Sequence, residues 1–191
     1  MLLFISCKAQ NIIPPDPITE IIPIENYLNY WENEIEIPDN AYIKDVNNLL
    51  NKYIGTWSGT YNNKTYEFFI QKITRESDIR PLIFDELVIR YRITASDNTI
   101  LEDTSNLPDS SPFIVNGWYI TNNNRVYVLN YVGEEAECGQ EGNIFIEVSP
   151  TNLNQMKLFL QPTGDIILLE DCPLGEAQQL LPINSIVLDK Q

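Results

Sequence analysis

Histidine is absent from this 191-residue chain. That removes the commonest zinc ligand and the usual general base near neutral pH. Ser-His-Asp and Cys-His catalysis are therefore impossible within the chain. Cysteine is scarce too, with three residues, Cys7, Cys138 and Cys172, and no Cys-x-x-Cys pair. No glycine-rich phosphate loop, metalloprotease helix motif or nucleophile elbow occurs. No segment approaches the roughly 20 uninterrupted apolar residues of a membrane-spanning helix. No internal repeat is present, and no long helical run could supply the crossovers of a parallel sheet. Basic residues are few, 12 against 27 acidic, for a net charge of −15. Such a chain repels a phosphate backbone, so nucleic acid is set aside as a partner. The acidity reads first as solubility, with a cationic partner or calcium as alternatives.

What is present is a folding composition. Hydrophobic residues make up 43%, with 10 Tyr, 7 Phe and 3 Trp, enough for one good core. Period-two alternation dominates after Gly55. Strands are predicted at 56–61, 64–73, 87–93, 113–120, 125–132, 143–148, 156–160, 166–170 and 183–188. Turns fall at Asn62-Asn63, Asp97-Asn98, Thr121 to Asn124 and Gly164-Asp165. In 87–93, Leu87, Ile89, Tyr91 and Ile93 are expected to point in, with Arg90 and Arg92 pointing out. Residues 102–112, polar and with two prolines, are expected to form a loop. The expected fold class is all-β: an antiparallel meander closing as a barrel or as two packed sheets. One short N-terminal helix is predicted over 44–53, with Val46, Leu49, Leu50 and Tyr53 on one face and Gly55 as its stop.

The chain opens with Phe4-Ile5-Ser6-Cys7, an apolar stretch and a small residue before a cysteine. This pattern ends a lipoprotein signal, in which Cys7 would carry the lipid. The apolar run is shorter than the roughly 7–15 residues of a full signal. Residues 1–7 are therefore read as a signal remnant whose true start lies upstream. The implied location is the cell envelope, on the periplasmic side or the cell surface, with the membrane reached through a lipid anchor. Residues 8–38 are rich in proline and isoleucine and read as an extended arm, with Tyr27, Tyr30 and Trp31 packing back on the body. Residues 39–191 form the single β domain. Cys138 and Cys172 lie in loop-like sequence and, beside an export signal, read as a disulfide.

The segment Tyr42 to Trp57, the Cys7-Lys8-Ala9-Gln10 start and the Leu181 to Gln191 tail carry a resemblance. They resemble a family of uncharacterised exported proteins, probable lipoproteins, of flavobacteria and their relatives. The resemblance implies origin and compartment, and no activity. Gly55-Thr56-Trp57 also resembles the opening of lipocalin-like barrels, in which a short helix precedes a Gly-x-Trp strand. That resemblance implies a barrel floor built on Gly55 and Trp57. Gly59, on the same strand, is expected to leave room for the indole.

Three activities compete on this reading. The first is non-catalytic binding of a small apolar or amphipathic ligand inside the barrel. The second is a structural or protein-interaction module of the envelope with a solid core. The third is carboxylate-dependent glycoside hydrolysis, with Asp85, Glu86, Asp97 and Glu102 as candidates. Glu134, Glu135, Glu137 and Glu141 crowd the loop around Cys138 and are candidate calcium ligands, although their spacing fits no EF-hand. No cofactor is expected.

Overall fold

Eight antiparallel strands close into a barrel in the computed structural model, which describes residues 17–77, 79–121, 123–163, 172–173 and 175–191. The wall consists of β3 (Gly55–Tyr61), β4 (Lys64–Glu76), β5 (Ile83–Ala95), β7 (Val115–Ile120), β8 (Val126–Val132), β9 (Glu141–Val148), β10 (Gln155–Pro162) and β11 (Ile186–Lys190). Each wall strand pairs with the next in the chain, and β11 returns to β3 through Asp189 opposite Ser58 and Lys190 opposite Trp57. This is the up-and-down order of small closed barrels. Three shorter strands sit on β5 rather than in the ring: β1 (Ile21–Pro23), β2 (Tyr42–Lys44) and β6 (Ile100–Asp103). β6 pairs with β5 directly, and β1 reaches it through β2.

Local chemistry explains the turns. Asn62 and Asn63 both take left-handed φ values, 48° and 58°, which match a two-residue hairpin to the twist of its strands. Asn98 and Asn124 supply the same conformation at later turns, at 67° and 56°. Strand alternation then sets the core. On β9 the pattern is strict, with Ile144, Ile146 and Val148 buried between half-buried neighbours. β5 departs from it, because Val88 and Arg90 are buried as well as Leu87, Ile89, Tyr91 and Ile93. Arg90 does lie on the outer face, but the segment after β6 covers it, and its Nε donates to the Leu107 carbonyl at 2.7 Å.

Two elements differ from the sequence reading. Residues 44–53 form no α-helix. Asp45 accepts the backbone N–H of Leu49 at 2.7 Å and of Leu50 at 3.2 Å, and Asn48 takes φ 55°. Short polar side chains here outcompete the helical ladder. What results is a pair of turns ending in a 3₁₀ turn, Asn51–Tyr53, with Val46 exposed and Leu50 and Tyr53 buried. The helix of the described residues is α1 (Ile24–Glu32), inside the stretch expected to be extended. Pro23 stands at its N-cap, where a missing N–H costs nothing. Ile24 and Leu28 bury its inner face, and Tyr27 and Tyr30 pack at the edge of the core. Trp31 stays 59% exposed. β6 occupies the start of the stretch expected to be loop. Residues 1–16, with Cys7, and the strand expected at 166–170 lie outside the described residues.

A candidate binding groove outside a filled barrel

The barrel interior is occupied by its own side chains. Trp57, Phe68, Leu87, Ile89, Ile93, Tyr127, Leu129, Ile144, Ile146, Leu158 and Leu188 are each 0% exposed. Tyr91 and Tyr131 are 1% exposed. Aromatic rings run through this core: Tyr66 stacks on Phe68, which meets Tyr91, which meets Tyr131. Eight strands leave an interior that side chains can just fill or that can hold one small ligand. In this barrel large aromatic residues take the space.

At one end of the barrel the 45–54 segment crosses beneath Trp57. The indole Nε1 donates to the Tyr53 carbonyl at 2.7 Å, and Lys190 Nζ lies 5.0 Å from the centre of the Trp57 ring. Tyr53 in turn donates to the Arg125 carbonyl at 2.7 Å. Gly55 has φ 130°, a conformation side chains rarely adopt. Gly59 does not make room for the indole as expected. A Cβ there would meet the Val187 carbonyl at 2.7 Å, so the glycine admits the close approach of β11.

A polar clip holds this end together. Asp85 accepts from the Tyr42 hydroxyl at 2.6 Å, from Thr74 Oγ1 at 2.8 Å and from the Asp45 N–H at 3.0 Å. Burial alone would raise its pKa, but these hydrogen bonds and the Lys72 charge outweigh that and hold it below the ordinary carboxylate range. Lys72 also pairs with Asp45 at 3.2 Å.

The groove lies outside, between α1, the far ends of β4 and β5, and β7. Two adjoining cavities of about 350 and 620 Å³ share Tyr27, Ser77, Ile79 and Phe84. A bulge in β7 shapes it. Gly117 pairs with Leu129 and Tyr119 with Val128, so Trp118 is the extra residue. Bulges of this kind re-aim a side chain. Trp118 lines the groove and meets Trp31 of α1 edge-on, with ring centres 5.6 Å apart. Tyr27 meets Phe84 in the same manner at 5.4 Å. Ile79 is 93% exposed at the rim. Arg75 and Glu86 pair at 3.0 Å along the wall; burial raises the Glu86 pKa and Arg75 offsets part of that. Trp118 has no role in the sequence reading, and Trp31, expected there to pack back on the body, instead stays largely exposed beside it. A bulge leaves almost no mark in a six-residue strand, although Gly117 before a Trp is the residue pattern that permits it.

The other candidate residues fall as follows. Cys138 and Cys172 form a disulfide, with Cα atoms 5.6 Å apart. Glu134, Glu135 and Glu137 are exposed and Glu141 is half-buried. Among the described residues no three acidic, His or Cys side chains are grouped to hold a metal ion. Of the four carboxylates considered for hydrolysis, Asp85 is tied into its clip, and Glu86, the adjacent residue of β5, is paired with Arg75. Asp97 sits fully exposed in the β5–β6 turn, accepting the Thr99 N–H. Glu102 lies at the opposite end of the barrel beside Tyr91.

These features define a small closed antiparallel β-barrel domain with a helix-flanked groove on its outer surface. The chain belongs to a family of unknown function, DUF6705, which matches residues 1–171. No curated protein and no solved structure matches it.

Proposed function

We propose that this protein is a non-catalytic interaction module of the bacterial cell envelope, in which a solid barrel serves as scaffold and the outer groove as binding face. The observation that carries this reading is the filled interior, where Trp57, Phe68, Tyr91, Tyr127 and Tyr131 are at most 1% exposed. A carrier of apolar ligands needs the opposite, an open cavity. Envelope location is supported by the Cys138–Cys172 disulfide, since such bonds persist in oxidising compartments. The Phe4 to Cys7 pattern adds a lipid anchor at Cys7.

The groove chemistry selects the occupant. Its lining offers aromatic faces together with Glu34, Glu36, Glu76, Asp85 and Glu86 against Arg75 and Arg80 alone. A protein segment with an apolar anchor between Lys or Arg residues complements it. Mass spectrometry of the protein purified from its native membranes tests the reading. The expected result is acylated Cys7 and no stoichiometric non-covalent lipid. A retained apolar ligand would restore the carrier reading, and an unmodified Cys7 in a cytoplasmic product would remove the envelope. A Lys-flanked Leu/Trp peptide is expected to bind, and Trp31→Ala to abolish that binding without loss of fold.

A further inference from the structure

The outer face of the wall from β8 to β10 carries its side chains in rows, because these strands are in register and alternate residues point outward. One row is Asn130, Asn143 and Gln161, with Asn143 paired to both of the others. The next is Val128, Phe145 and Phe159, with Phe145 central in the same way. The third is Val126, Glu147 and Lys157. Their chain neighbours Leu129, Ile144, Ile146 and Leu158 are 0% exposed and fill the barrel. Asn130, Gln161 and Lys157 are exposed, and Asn143, Phe145, Phe159 and Glu147 are half-buried.

The amide and aromatic rows carry no charge, in a chain of net charge −15. Phe145 and Phe159 stack with ring centres 4.9 Å apart, next to the carboxamides. Asn116 of β7 continues the amide row opposite Asn130, but its carboxamide is used: it accepts from Arg75 and donates to the Ile114 carbonyl. Among the described residues, no protein group hydrogen-bonds to the carboxamides of Asn130, Asn143 or Gln161. The third row ends the strip. Arg125 pairs with Glu147 at 2.6 Å, and these two line a cavity of about 150 Å³ with Gln155, Lys157 and Val187. Rows two residues apart lie roughly 7 Å from one another, so the strip runs roughly 14 Å along the strands and roughly 10 Å across them.

We propose that this strip binds a short neutral oligosaccharide, with Asn130, Asn143 and Gln161 on its hydroxyls and Phe145 and Phe159 against its C–H faces. Each carboxamide offers two N–H donors and an acceptor oxygen, the mixed set that sugar hydroxyls give to and take from. The weakly positive C–H groups of a sugar ring pack on the negative face of an aromatic ring. Other occupants match only part of the strip. An apolar partner would strip water from three carboxamides and leave them unpaired. An ionic partner would meet no counter-charge in the amide and aromatic rows. An uncharged, polyhydroxylated ligand satisfies both rows at once, and the charged groups around the small cavity give charge-assisted hydrogen bonds to its terminal ring. The strip shares no residue with the α1 groove, so either can fail without the other.

NMR titration of the whole protein with neutral oligosaccharides of glucose, xylose, mannose, galactose and N-acetylglucosamine, and with an oligogalacturonate as the acidic counterpart, tests the assignment. At least one neutral series is expected to shift the side-chain amide signals of Asn130, Asn143 and Gln161, with the oligogalacturonate at least about tenfold weaker. Phe159→Ala should weaken that binding by about tenfold or more. Gln161→Ala, at an exposed position, should weaken it by a smaller factor and stands in if Phe159→Ala fails to fold. Trp31→Ala, in the α1 groove, should leave it unchanged. The proposal is overturned if no neutral oligosaccharide shifts those amides, if the acidic one binds as well, if the strip variants bind like the unaltered protein, or if Trp31→Ala weakens binding as much as they do.

Discussion

Trp57 shows how far a single residue can be read from sequence. Its burial follows from its size and its place beside Gly55 at the start of a strand, and the structure leaves it 0% exposed. Its partners were not legible. The indole is held by the Tyr53 carbonyl and overlain by Lys190, and Lys190 arrives from the other end of the chain. Closure of the barrel through β11 and β3 is what brings Lys190 to the ring. Trp57→Ala should cost about 3–5 kcal/mol, as expected for a large aromatic removed from a packed core, and urea denaturation reads this directly. An unchanged midpoint would mean that the 45–54 segment collapses into the space. Gly59 carries a related lesson. Its lack of a side chain is visible in the sequence, but whether that serves the indole or a neighbouring backbone depends on strand pairing.

At the scale of elements, the meander was legible because most wall strands alternate, as β9 does, and several turns carry asparagine, as at Asn62-Asn63, Asn98 and Asn124. The helix was misplaced for a physical reason. Residues 44–53 have helical spacing of apolar groups, but the Asp45 side chain offers the Leu49 and Leu50 N–H groups a local partner and Asn48 takes a left-handed φ that breaks the helical path. Residues 24–32 sit behind a proline that reads as a breaker, although at the N-cap it starts a helix instead. The Asp85 clip then holds β2 and the 45–54 turns against the far ends of β4 and β5. Its depressed pKa has a definite consequence. The stability it contributes is present above the ordinary carboxylate range and is lost as pH falls through the lower, folded-state value. Stability should therefore decline as the solution is acidified below about pH 4. Asp85→Asn should flatten that decline and cost about 1–3 kcal/mol at neutral pH by weakening hydrogen bonds to a charge. Denaturation midpoints across pH for both proteins check this; parallel curves would show that other carboxylates govern the acid limb.

For the whole molecule, the closed barrel was foreseen as a class, while the outer groove and the β7 bulge were not, because both depend on register and register is not written in composition. The disulfide was legible, and it ties the β8–β9 loop to the stretch before β11. In the loop-entropy picture a bridge of this span is worth roughly 3–4 kcal/mol. Cys138→Ser with Cys172→Ser should lose about that much in urea, and the reduced protein should match the double variant; a smaller loss would mean that the unfolded chain is already constrained there. The seam between β3 and β11 has one more consequence. Those strands are separated by more than a hundred residues and share two register pairs, Asp189 with Ser58 and Lys190 with Trp57. Every other wall contact can form between strands close in sequence, whereas this one must wait until the ribosome has translated β11. Until then β3 and β10 each present a bare edge, and the aromatic interior is open to solvent. A chain whose ring shuts so late, and by long-range contacts that form slowly, keeps its unfinished barrel open for longer during synthesis.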